Sequence, residues 1–113
     1  MAKILVVQLQ TELLTSDLLE IALQELEAIS SDARLVLQAK SEQAEDNRYI
    51  NAEFESTDVA DLWHEIEKKL FLQNPRGSEL KKGTIVVCYG DSGWDHYLLL
   101  HHFDPSAELD DLF

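Results

Sequence analysis

The stretch KILVVQLQ at 3–10 constrains the fold more than any other. Ile4-Leu5-Val6-Val7 is apolar without a break and rich in β-branched side chains. A strand sends successive side chains to opposite faces, so an unbroken apolar run calls for cover on both. The run predicts a central strand. A second run of this kind, TIVVCYG at 84–90, predicts another buried strand.

Helical periods lie between them. In TSDLLEIALQELEAISSD (15–32), Leu19, Ala22, Leu23, Leu26 and Ile29 recur at helical spacing, and Glu20, Gln24, Glu25 and Glu27 fall elsewhere. Thr15, Ser16 and Asp17 suit an N-cap. In STDVADLWHEIEKKLFLQN (56–74), Val59, Leu62, Trp63, Ile66 and Leu70 form the stripe. Thr57 or Asp58 can cap it. Asp58 and Asp61 suit the positive end of the helix dipole, and Lys68 and Lys69 the negative end. Pro75 and Gly77 end this helix and open the loop NPRGSELKKG.

ARLVLQAKS at 33–41 predicts a strand and EQAEDN at 42–47 a polar turn. RYINAEFES at 48–56 alternates, with Ile50, Ala52 and Phe54 on one face and Tyr49, Asn51, Glu53 and Glu55 on the other. The two strands form an expected antiparallel pair. The order β-α-β-β-α-β predicts an α+β, ferredoxin-like two-layer sandwich: an antiparallel sheet with two helices on one face. One domain is expected over 1–113, with this unit in 1–90 and a C-terminal addition in 91–113. The addition starts with a turn at GDSG and continues as a fifth strand over 94–103, although the periodicity there also fits a helix. Asp104 and Pro105 then signal a short acidic helix with Leu109, Leu112 and Phe113 on its apolar side.

Charge narrows the function classes. The chain has 22 acidic and 9 basic residues and a net charge of −13. Such a field repels nucleic acid and anionic membranes and speeds encounter with basic proteins. The acids are concentrated: 41–67 is net −8 and 84–113 net −6, and between them 68–83 is net +4. No apolar run approaches the roughly 20 residues of a membrane span. The N-terminal stretch lacks signal-peptide features, and the single cysteine excludes an internal disulfide, so a cytoplasmic protein is expected.

The chemical motifs are weak. His96, His101 and His102 have the spacing H-x4-H-H, not the i, i+4 pairing of a helical zinc site. Cys88 lies inside a predicted buried strand, where thiols are inert. Ser92 in GDSGW is not the G-x-S-x-G of a nucleophile elbow. No phosphate-binding glycine frame occurs. No catalytic residue, metal or cofactor is expected.

Protein binding remains. Glu42, Glu45, Asp46, Glu53, Glu55, Asp58 and Asp61 are the candidate acidic face, and Tyr49, Trp94 and Tyr97 with Leu109, Leu112 and Phe113 are candidate anchors. The leading expectation is a small module that occludes a basic partner, most concretely a toxin-neutralising, immunity-type protein acting on a nuclease or similar effector. A nucleic-acid mimic that inhibits a restriction or interference system is an alternative. So is a small ferredoxin-like enzyme or sensor using Asp91, Ser92 and His96. A homo-oligomeric structural protein, docked on a second copy through its fifth strand or tail, is the last.

Overall fold

A computed structural model describes residues 3–89 and 97–110; of Tyr97 it describes the backbone alone. Five strands form one antiparallel sheet: β1 (Lys3–Gln10), β2 (Gln38–Gln43), β3 (Tyr49–Ser56), β4 (Thr84–Tyr89) and β5 (Tyr97–His101). Their order is β2-β3-β1-β4-β5, so the apolar 3–10 run does occupy the middle. The helices are α1 (Ser16–Ser30), α2 (Val59–Glu67) and α3 (Gly77–Lys81), with a π-helical turn over Lys68–Leu72 directly after α2. The fold is α+β.

The helices share one core with Leu5, Val7 and Leu9 of β1, Ala52 and Phe54 of β3, and Val86 and Cys88 of β4. Side chains alternate along a strand. Val6, Gln8, Asn51, Glu53, Ile85 and Val87 therefore belong to the opposite, open face. No described helix packs there. On that face Val6 is buried all the same, at 5 % exposure, and Ile85 and Val87 are half-buried, so the expectation of cover on both faces is met at the middle of β1 and in part along β4.

Thr15 caps α1, its side chain accepting from the Leu18 backbone N–H, and Leu18, Ala22, Leu26 and Ile29 are buried while Leu19 and Leu23 pack at the margin. Asp58 caps α2 by accepting from the Asp61 N–H at 3.1 Å. The whole α2 stripe reaches the core. In the π-helical turn, the Gln73 N–H reaches back to the Lys68 carbonyl. The wider turn puts the consecutive Leu70 and Phe71 both in the core.

Four expectations are corrected. The second strand begins at Gln38, not at 33. The Asp32 carboxylate holds Arg34 (Nη2 at 2.9 Å), and its carbonyl accepts from the Leu35 and Val36 N–H groups, so the chain turns there. Val36 is buried by packing and not by pairing. The β2–β3 turn shifts to 44–48, with Asn47 at φ 59, a left-handed conformation that Asn tolerates. The loop after Pro75 contains α3. The described part of the tail, 104–110, has no helix: Asp104 Oδ1 accepts from the Ser106 N–H at 2.9 Å and closes a turn. The GDSG turn and residues 94–96 lie outside the described residues.

Candidate functional site

The open face is a grid whose rows follow from strand register. One row runs Lys40, Glu53, Val6, Val87, Leu99 across all five strands. Its neighbours run Gln38, Glu55, Ile4, Tyr89 and Glu42, Asn51, Gln8, Ile85. The β2–β3 half is therefore acidic and the β1–β4–β5 half apolar, and they meet where Glu53 adjoins Val6. On the apolar half lies a groove of about 550 Å³, walled by Val6, Ile85, Val87 and Leu99, with Asn51 on its acidic side and His102 and Ala107 on the far side. The Oδ1 of Asn51 is buried and accepts no hydrogen bond from the described residues. Buried polar atoms rarely stay unpaired.

β5 and the tail close the far wall. β5 pairs with β4 through a bulge between Val86 and Val87, which sets His101 opposite Val86 and Leu99 opposite Val87. Strict alternation puts His101 and Leu99 on one face. The bulge breaks it. Leu99 lines the open groove, while His101 turns to the helix side and stacks on Phe71 at a ring-centroid distance of 4.6 Å. His102 goes to the groove, so the adjacent histidines part to opposite faces. Asp110 then clasps Leu99 twice: its carboxylate accepts the Leu99 N–H at 2.8 Å, and its own N–H donates to the Leu99 carbonyl at 2.7 Å. This covers the outer edge of β5 at its centre.

His101 is also an expected pH handle. Burial pushes its imidazole below the ordinary histidine value, nearby Lys81 and His102 push the same way, and the hydrogen bond to the Lys81 carbonyl (3.0 Å) and the charge of Glu67 push back. The unfolded chain therefore binds the proton more readily than the folded one. Stability is then full above about pH 6.5 and is lost as pH falls through that value toward the lower folded one. Urea unfolding at pH 7.5, 6.5 and 5.5 should show the midpoint falling with pH, and His101→Gln should flatten the slope. An unchanged slope in that variant would remove the role assigned to His101.

The candidate acidic residues do not form one surface. Glu42, Glu53 and Glu55 lie on the open face, and Lys40 sits 3.6 Å from Glu42 and 3.5 Å from Glu53. Glu45 and Asp46 are in the β2–β3 turn, where Asp46 pairs with Arg48 at 3.3 Å. Asp58 and Asp61 start α2, at the other end of β3, beside Arg34 and Glu65. Eight residues of strand separate these two ends, roughly 25 Å. Tyr49 begins β3 opposite Gln10. Leu109 is exposed in the tail. Trp94, Leu112 and Phe113, like Asp91, Ser92 and His96, lie outside the described residues.

Val6, Gln8, Asn51, Ile85, Val87 and Leu99 were not candidates from sequence, because their proximity depends on register across four strands. A signal was nonetheless there. An unbroken apolar strand in a sheet whose described helices lie on one face puts half of its apolar side chains, here Ile4 and Val6, on the other face. The remaining chemistry is quiet: Cys88 is buried, which pushes its thiol up and away from the reactive thiolate. Among the described residues no helix is long and apolar enough to cross a membrane. Comparisons with protein-family models, curated proteins and solved structures gave no match.

Proposed function

We propose that this chain is a non-enzymatic, acidic protein-binding module built on a ferredoxin-like βαββαβ core, and that it covers the cationic surface of a basic protein with the open face of its sheet. The observation that carries this reading is the junction of Glu53 with Val6, in a row where an acidic half-face meets an apolar groove. Lysine and arginine have long apolar stems and charged heads. Stems laid over the half-buried Val87 and Leu99 would bring heads toward Glu53 and Glu55, across the buried Val6. The basic segment 68–83 supports the choice of face. Arg76 pairs with Glu79 at 2.5 Å, and Lys81 lies 6.0 Å over the Phe71 ring, which belongs to the core shared with the helices. Lys40 is the one Lys or Arg in the open-face rows described above.

The most concrete form of this function is toxin neutralisation of the immunity type, in a cytoplasmic setting. Charge would speed encounter, and the apolar groove would set residence time. An arginine-rich peptide serves as a probe for the face. Glu53→Gln/Glu55→Gln should weaken its binding about tenfold, a loss of about 1.4 kcal/mol. Asp58→Asn/Asp61→Asn, at the start of α2, should leave it within about twofold. The reverse ranking would move the site to the helix layer.

A further inference from the structure

The two outer edges of the sheet are finished differently. At β5 the Asp110 clasp occupies the N–H and carbonyl of Leu99. At β2 all six residues, Gln38–Gln43, are exposed. The hydrogen-bond parity of β2 is fixed at both ends. The Ala44 N–H donates to the Tyr49 carbonyl, and the Leu37 N–H donates to the Glu55 carbonyl beside the Gln38–Glu55 pair. Antiparallel pairs alternate between bonded and non-bonded. Gln38, Lys40 and Glu42 therefore direct their backbone groups to β3, and Ala39, Ser41 and Gln43 direct theirs outward.

We infer that β2 pairs antiparallel with β2 of a second copy, centred on Ser41, to make a symmetric dimer with a continuous ten-stranded sheet. Parity and charge together select the register. The outward groups of two copies can meet with Lys40 opposite Lys40, with Glu42 opposite Glu42, or, centred on Ser41, with Lys40 opposite Glu42 twice. The first two set like charges face to face, which destabilises a sheet pair. The third gives two opposite-charge pairs at a non-bonded position, where Cα atoms are about 4.5 Å apart. It also pairs Ser41 with Ser41 and Ala39 with Gln43, for about six backbone hydrogen bonds.

The helix side of the edge fits a close approach. Ala39 and Ser41 are small, and between them and α1 lies a groove of about 380 Å³ with Leu23 and Leu26 in its wall. A two-fold axis perpendicular to the sheet keeps both helix layers on one side, so the two grooves open toward each other and cover one another. The open faces join on the other side. The acidic halves then lie at the centre and the apolar grooves at the wings. This dimer does not depend on the proposed function, since pairing at the β2 edge leaves the open face uncovered.

Light scattering and sedimentation of the full chain from about 10 µM to 1 mM, at about 0.15 M salt to screen long-range repulsion, test the inference. The expected result is a concentration-dependent shift from 12.9 kDa toward twice that mass. Lys40→Glu and Glu42→Lys should each raise the dimer dissociation constant about tenfold or more, and combining them should restore it to within about threefold of the original. Ser41→Pro should abolish the dimer while keeping the circular-dichroism spectrum of the fold, because an edge strand tolerates proline where its N–H faces outward. A monomer at all concentrations would overturn the inference. So would a dimer that survives Ser41→Pro and both single charge reversals.

Discussion

Gly77→Ala should lower the stability of the fold by about 3 kcal/mol, the upper end of what overpacking usually costs. Gly77 is buried at the start of α3. A methyl group there would collide with the Phe71 carbonyl oxygen and would lie 2.7 Å from the carbonyl carbon and 3.0 Å from Cα. These are backbone atoms, so no side chain can swing aside. Phe71 is itself fixed, with Trp63 edge-on at 6.4 Å and His101 stacked at 4.6 Å. The strain would have to move the π-helical turn, and with it the surface that receives β5. Urea unfolding should show a lower midpoint with an unchanged slope. Ser78→Ala, at the exposed neighbour, should stay within about 0.5 kcal/mol. A Gly77→Ala protein as stable as that control would mean that the turn and α3 are not in the close contact described.

The second large effect belongs to Phe54. Its side chain is 2 % exposed at the middle of the sheet, with Leu5 and Ala39 as cross-strand neighbours. Phe54→Ala removes the largest of the fully buried side chains among the described residues, from a core that can collapse only partly. The expected loss is about 3–5 kcal/mol, a large share of the roughly 5–15 kcal/mol available to a domain. The adjacent Glu55 points to the open face. Glu55→Ala should therefore change stability by no more than about 0.5 kcal/mol. Comparable losses at 54 and 55 would contradict the division of β3 into a packed and an open face.

That division was legible in the sequence, because YINAEFES alternates cleanly and one residue of alternation decides the face. The positions of β1, β4 and α1 were legible for the same kind of reason: each carries an uninterrupted apolar run or a helical stripe with a cap. β2 was not. QAKSEQ is polar because it sits on an edge and is exposed throughout, so it has no pattern to read, while the neighbouring Leu35 and Val36 mimic a strand. The π-helical turn and the bulge at Val86/Val87 each break a period, and a period is what sequence reading depends on. Glu53 and Glu55 could be named as candidate binding residues from their exposed positions alone. Their junction with Val6, Val87 and Leu99 could not, because it exists only once β3, β1, β4 and β5 stand side by side.

The open face can be tested residue by residue with the ¹⁵N-labelled chain and an arginine-rich peptide, followed through amide shifts at about 0.05 and 0.15 M salt. Saturable shifts confined to residues 4–8, 51–55, 85–89 and 98–99, lost in Glu53→Gln/Glu55→Gln, are the expected result. Shifts spread evenly over the acids of α1 and α2, and unmoved by that double substitution, would contradict it and leave the acidity as a diffuse property of the whole surface.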